Sequence, residues 1–192
     1  KKPGQVFIFK FFGNLLSGWQ STTRYIYISA KKAGEAICQA AVSQGVGVKI
    51  ARLSLAYGPG TKPGDQRVLN QLIAKGLQGK VSLLDDGKAK RNYGYVTDSV
   101  GIMWQVLLQG KEVVYDVAGE SATTIFNLAK TISGYLQVPL ILGQKNKEII
   151  GAPEEVKTDI SQIKKEFNKT KFVSLDNGLR RTIEWQRLLY AA

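Results

Sequence analysis

The stretch YISAKKAGEAICQAAVSQGVGVKIARLSL, residues 27–55, changes its apolar period part of the way along. From Tyr27 to Gln44, small or apolar side chains recur at Ala30, Ala33, Gly34, Ile37, Cys38 and Ala41, the spacing of one helix face. Gly45 and Gly47 end that helix. Val46–Leu55 is then rich in β-branched and apolar residues and reads as a strand. A helix that runs directly into an apolar strand is the repeating half of a parallel α/β fold.

The pattern continues on both sides. Upstream, Gln5–Phe12 is a short strand-like apolar run, and Gly13–Arg24 reads as loop. Downstream, Tyr57–Asp65 is rich in Gly and Pro and reads as a turn-rich loop. Gln66–Gln78 reads as a helix, with Val68, Leu69, Leu72, Ile73 and Leu77 on one side. Val81–Leu84 is a short strand stopped by the tight-turn signal Asp85-Asp86-Gly87. Asn92–Val96 is another strand, and Thr97 or Asp98 is the expected N-cap of a helix through Leu108. Val113–Val117 and Val138–Leu142 read as strands, and Thr123–Leu136 as a helix between them. Gly143–Lys157 reads as polar loop, Asp159–Phe167 as a short helix and Leu175–Leu189 as a final amphipathic one. The alternation predicts α/β architecture with parallel strands. Cys38, Trp104 and Trp185 are expected in the core.

Composition limits the chemistry. The 192 residues hold 27 Lys+Arg, 15 Asp+Glu, no His and one Cys, a net charge of +12. Without His there is no Ser-His-Asp triad, no Cys-His pair and no His-ligated zinc. A lone Cys makes no internal disulfide and suits the reducing cytoplasm. No apolar run reaches the ~18 residues that argue for a membrane helix. The positive charge implies attraction to anions without choosing among nucleotides, sugar phosphates and RNA. The lysines are scattered (Lys88 and Lys90, Lys145 and Lys147, Lys164 and Lys165), and no stripe of aromatic and basic residues accompanies them, which argues against a nucleic-acid footprint.

Acid–base work therefore falls to Tyr, Lys, Asp or Glu. Tyr27 and Lys31 stand at i and i+4, on one helix face and one turn apart. An ammonium beside a phenol stabilises the phenolate and lowers a Tyr pKa from ~10.

Further motifs follow in order. They are Tyr27-x-x-x-Lys31-Lys32-x-x-Glu35, Ala51-Arg52-Leu53-x-x-x-Tyr57-Gly58-Pro59, and Asp86-Gly87-Lys88-x-x-Arg91-x-Tyr93-x-Tyr95-Val96-Thr97-Asp98. Beyond them lie Val117-Ala118-Gly119-Glu120-Ser121-x-x-Thr124-Ile125, Lys157-Thr158-Asp159-Ile160 and Ser174-Leu175-x-x-Gly178-Leu179-x-x-Thr182-Ile183-Glu184-Trp185. Together they resemble the extended short-chain dehydrogenase/reductase family, the NAD-dependent nucleotide-sugar epimerases, dehydratases and decarboxylases. The resemblance runs from about residue 24 to residue 190.

The resemblance implies part of a Rossmann-like parallel sheet with a smaller C-terminal substrate-binding lobe. Residues 1–60 would be the partial Rossmann-like portion with the catalytic helix. Residues 61–192 would be mainly the lobe, with a sheet element returning around 91–120. It implies NAD as cofactor, a nucleotide-diphosphate sugar as substrate and a homodimer. Tyr27 would be the acid/base for hydride transfer to NAD at a sugar carbon. Lys31 would lower its pKa and bond the nicotinamide ribose. Tyr57, Gly58 and Pro59 would line the nicotinamide end. Arg91 would grip the diphosphate, Arg67 would contact substrate, and Asp98 is read as a helix cap.

Departures from the family pattern sharpen these expectations. No Gly-x-x-Gly-x-x-Gly turn is present to cradle a pyrophosphate, and Tyr27 comes early, which predicts that these residues are the C-terminal portion of a longer protein. Phe11 and Phe12 stand where the family's Ser is expected, leaving Ser17, Ser21, Thr22 and Thr23 as candidates. Residues 1–34 hold no Asp or Glu, which weakens dehydratase and decarboxylase readings and leaves epimerase chemistry ahead. Leu55 replaces a frequent Asn, and Ala152-Pro153-Glu154-Glu155 stands where some members carry a second phosphate-binding Arg. The alternative reading is a non-catalytic or truncated relative, binding nucleic acid through its basic surface.

Overall fold

The computed structural model describes residues 5–10, 22–62, 64–120, 122–143, 155–156 and 158–190. Phe11, Phe12, Ser17, Ser21, Ser121, Lys145, Lys147, Ala152, Pro153, Glu154 and Lys157 lie outside the described residues.

The first three elements form a parallel βαβ unit. Strand β1 (Gln5–Lys10) pairs in parallel with β2 (Val48–Leu53), in register from Gln5 opposite Val48 to Lys10 opposite Leu53. Helix α1 (Thr22–Ser43) makes the crossover. It begins at Thr22, within the stretch expected to be loop, because Thr22, Thr23 and Arg24 carry no apolar period that would mark a helix turn. Cys38 is buried against Val48 and Ile50, as expected, with Val113 and Val114 alongside. Across this seam the Arg52 guanidinium grips the Glu35 carboxylate at 2.9 Å (Nε–Oε1) and 2.8 Å (Nη2–Oε2). The paired geometry fixes α1 on the sheet more firmly than a point charge would.

The apolar run Val46–Leu55 is not one strand. It breaks at Ser54, whose N–H donates to the Val117 carbonyl at 2.8 Å. The chain then enters a second sheet as β3 (Leu55–Tyr57). Alternating apolar residues continue through the break, so local pattern carries no sign of the change of partner. β3 pairs in parallel with β5 (Lys90–Tyr95), and β5 pairs antiparallel with β7 (Ala122–Thr124). Around this sheet lie α2 (Val68–Leu77), β4 (Val81–Ser82), α4 (Ile125–Leu136) and β8 (Leu140–Ile141), with β4 parallel to β8. Leu69, Leu72, Ile73, Leu128 and Ile132 form their common core.

Helix α3 (Val96–Gln109) brings the chain back to the first sheet, where β6 (Val114–Val117) lies parallel to β2. Short α5 (Ser161–Glu166) packs Ile163 against Ile102, Val106 and Tyr115, and α6 (Leu175–Tyr190) buries Leu179 and Ile183 in the second core. The segment from α5 to α6 therefore straps the two sheet systems together.

Two expectations about α3 are overturned. Neither Thr97 nor Asp98 caps it: Tyr95 holds the cap position and makes no side-chain cap bond. Asp98 sits in the first turn and is buried, accepting from Lys169 Nζ at 2.8 Å and from the Val173 N–H at 2.7 Å. Its carboxylate is committed to the strap between α5 and α6. Trp104 is 58 % exposed, not in the core, because it lies on the α3 face opposite buried Ile102 and Val106. Trp185 is half-buried.

Candidate active site

A cavity of about 470 Å³ opens between β3, α2, the segment after β4 and β5. Tyr57, Arg67, Asn70, Leu84, Arg91 and Ile125 are among the residues lining it. Three side chains singled out from the sequence, Tyr57, Arg67 and Arg91, thus meet around one space.

Arg67 is the residue before α2, in extended conformation, and its side chain folds back on Asp65. Nε lies 2.8 and 3.0 Å from the two carboxylate oxygens, Nη2 lies 2.8 Å from Oδ2, and the Arg67 N–H donates to Oδ1 at 2.9 Å. The hydrogen-bonded guanidinium holds the Asp65 carboxyl well below the usual carboxylate range. The remaining nitrogen, Nη1, lies 3.4 Å from the Ala56 carbonyl at the cavity's β3 edge. Arg91 projects from β5, half-buried, with Nη1 donating to the Lys90 carbonyl at 2.7 Å.

Tyr57 is mostly enclosed. Its ring packs edge-on against Tyr93 and Tyr95 at 6.1 and 5.5 Å, and its hydroxyl donates to the Leu175 carbonyl at 3.4 Å. Burial pushes its phenol up, and pushes Tyr93 up to about 12. Both stay neutral, which makes Tyr57 a structural anchor for the cavity wall rather than a titrating group. Gly58 follows with φ +144°, and a Cβ there would lie 2.5 Å from Val96 Cγ1. Glycine is required for β3 to turn against the start of α3. Pro59 is half-buried beside it.

Tyr27 and Lys31 stand on α1 and do not line this cavity. The Lys31 ammonium lies 5.5 Å from the Tyr27 ring centroid, over the ring. That contact stabilises the cation against the aromatic face. Burial raises the Tyr27 phenol above its ordinary value, opposite to the direction expected from the Tyr–Lys spacing. As it stands here, Tyr27 is a neutral hydroxyl near neutral pH.

Sequence reasoning did not single out Asp65, Asn70 or Leu84. Asp65 carries a local signal, an acid two residues before an Arg at a helix start. Asn70 carries none, because its role depends on a residue of α6.

The model of the NAD dependent epimerase/dehydratase family matches residues 15–118, and the chain belongs to that family. It is 30% identical over 186 residues to a UDP-N-acetyl-alpha-D-glucosaminuronate decarboxylase of Bacillus cytotoxicus, covering 90% of this chain and 56% of the relative. It is 28% identical over 165 residues to a dTDP-4-dehydro-6-deoxy-D-allose reductase of Streptomyces bikiniensis, covering 84% and 50%. The chain thus spans about half the length of the curated relatives it matches. Among solved structures, the UDP-glucuronic acid 4-epimerase of Bacillus cereus in complex with UDP-glucuronic acid and NAD superposes with TM-score 0.78 at 21% identity, covering 96% of this chain and 62% of that one. The dTDP-glucose 4,6-dehydratase of Bacillus anthracis in complex with NAD gives the same values. These likenesses establish a Rossmann-type α/β fold.

Proposed function

We propose that the protein carrying this chain transforms a nucleotide-diphosphate sugar with NAD, by epimerase-type chemistry, in the cytoplasm. The observation that carries the reading is the convergence of Arg67 and Arg91 on one cavity walled by Tyr57. Two guanidinium groups on one cavity suit a diphosphate, Arg91 by its planar donors and Arg67, whose Nε and Nη2 are held by Asp65, by its outer Nη1 edge.

The donor set fits one end of NAD. A phenol and an ammonium one turn apart on α1 suit a ribose hydroxyl and a reacting sugar hydroxyl. The sequence holds no glycine-rich turn for the pyrophosphate, so that part of the grip is not supplied by these residues. NAD, when bound, supplies the redox chemistry and a positive nicotinamide ring. Tyr27 moves the sugar hydroxyl proton, and Lys31 orients the ribose and favours the phenolate. The loop Tyr57-Gly58-Pro59 borders the nicotinamide end, while Arg67 and Arg91 hold the diphosphate. A panel of UDP-glucose, UDP-glucuronic acid and dTDP-glucose incubated with protein and NAD tests the reading by proton NMR. A sugar epimer is the expected product. Release of water or CO2 would assign another branch, and no conversion of any sugar would remove the reading.

We also propose that the protein works as a homodimer. Val100, Trp104 and Leu108 stand at i, i+4 and i+8 on the outer face of α3, and Ile26 and Ile37 are exposed along α1. Apolar stripes of this length on helices need a cover. Trp104→Glu is expected to halve the mass measured by light scattering. An unchanged mass would place the contact elsewhere.

A further inference from the structure

Two amides are buried in the apolar core beside the cavity, and they form a chain that leads to it. Gln186, on α6, is 2 % exposed, and Asn70, on α2, is 5 % exposed. Gln186 Nε2 donates to Asn70 Oδ1 at 3.0 Å, and Asn70 Nδ2 donates to Asp65 Oδ1 at 3.0 Å. Asp65 then holds Arg67 by the bonds described above.

The direction of this chain is fixed from its charged end. An ionised carboxylate only accepts, so Asn70 must offer Asp65 its NH2 group. That turns the Asn70 carbonyl oxygen toward α6, and Gln186 must donate to it. With the amide of Gln186 in place, Asn70 cannot rotate without losing a bond at each end.

The cost of the arrangement is visible. Gln186 Oε1 is buried with no hydrogen-bond partner among the described residues. An unsatisfied buried oxygen opposes folding, whereas a methionine of the same length would leave none. Packing of α6 against Leu69 and Leu72 therefore gives no reason for an amide at this position. Its one outlet is the orientation of Asn70, Asp65 and Arg67.

We propose that Gln186 is a positioning residue, acting through Asn70 and Asp65 to hold the Arg67 guanidinium at the cavity for the substrate's diphosphate. The proposal rests on the reading of Arg67 as a diphosphate contact. It puts a residue of the last helix in control of a contact made at the start of α2.

The test is calorimetric titration of UDP or dTDP, whichever binds more tightly, together with the matching nucleoside. The proteins compared are wild type, Gln186→Met, Arg67→Ala and the double variant. Loss of one hydrogen bond in the chain is expected to weaken the diphosphate in Gln186→Met by about three- to tenfold, with the nucleoside changed by less than about twofold. The double variant should bind no more weakly than Arg67→Ala, since Gln186 acts only through Arg67. Binding of neither nucleotide, or an unchanged affinity in Arg67→Ala, overturns the reading of Arg67 and the proposal with it. A weakened Arg67→Ala beside an unchanged Gln186→Met overturns the positioning role alone. Equal losses for nucleotide and nucleoside, or additive losses in the double variant, also overturn it, because they mark a general distortion. Gln186→Leu removes the same amide with a smaller side chain and should show the same lack of additivity with Arg67→Ala, which decides the matter should Gln186→Met not fold.

Discussion

Tyr27→Phe is expected to lower nucleotide-sugar turnover by about 10²- to 10⁴-fold, the range of a lost general acid–base, and to leave NAD affinity within about threefold. The variant removes one oxygen and keeps the ring over which Lys31 lies at 5.5 Å, so α1 and the position of the ammonium are preserved. Steady-state turnover and fluorescence titration of NAD, measured on the same preparation, separate the two effects. Turnover within tenfold of wild type would remove Tyr27 from the chemistry. The pH dependence carries a sign. Burial raises the phenol in this structure, so a base made from Tyr27 is scarce at neutral pH and becomes more available as pH rises. A positive charge near the hydroxyl shifts that rise to lower pH. Activity in the presence of NAD should therefore rise with pH, and in Lys31→Met, which removes a cation beside Tyr27, that rise should move to higher pH.

Asp98→Ala is expected to destabilise the fold by about 3 kcal/mol, read by thermal unfolding followed by circular dichroism as a fall in Tm of several degrees. The variant leaves the Lys169 ammonium, itself largely buried, without its carboxylate partner, and leaves the Val173 N–H without its acceptor. Asp98→Asn keeps an oxygen for Val173 and loses only the charge, so its Tm should fall between those of Asp98→Ala and wild type. A Tm for Asp98→Ala within about one degree of wild type would show that the strap holds without this carboxylate. Comparison of the two variants apportions the effect between hydrogen bond and ion pair.

Much of the fold is legible in the sequence because helix and strand periods are local. The spacing from Ala30 to Ala41 and the glycines after it place α1 and β2 without any knowledge of partners. The Ser54 break is not legible, since Leu53 and Leu55 are both apolar and the change of sheet depends on which strands are available on each side. Trp104 is misread for a related reason. An aromatic residue in an apolar helix suits the core of one chain and the surface where two chains meet equally well. Asp98 is misread because its partners, Lys169 and Val173, are supplied by a distant turn. In the candidate site, Arg67 and Arg91 are legible through motif, but Asp65, Asn70 and Gln186 gain meaning only when α2 and α6 are packed together. The Tyr–Lys spacing correctly puts the two side chains one turn apart. It does not tell ring face from hydroxyl, and that difference sets the direction of the pKa.

The break at Ser54 also bears on how the chain folds. Strands β2 and β6 are neighbours in the sheet, yet everything from Ser54 to Val113 lies between them. Pairing them directly from an open chain means closing that whole loop, with a large loss of chain entropy. The parallel pairing of β3 with β5 lessens it. It sets Leu55 opposite Tyr93 and Tyr57 opposite Tyr95, so the way out of the first sheet and the way back are bound side by side. Once those two short strands have met, only α3 and its following turn remain to be spanned. The excursion is thus stapled at its neck, which leaves a much shorter loop to close when β6 joins β2.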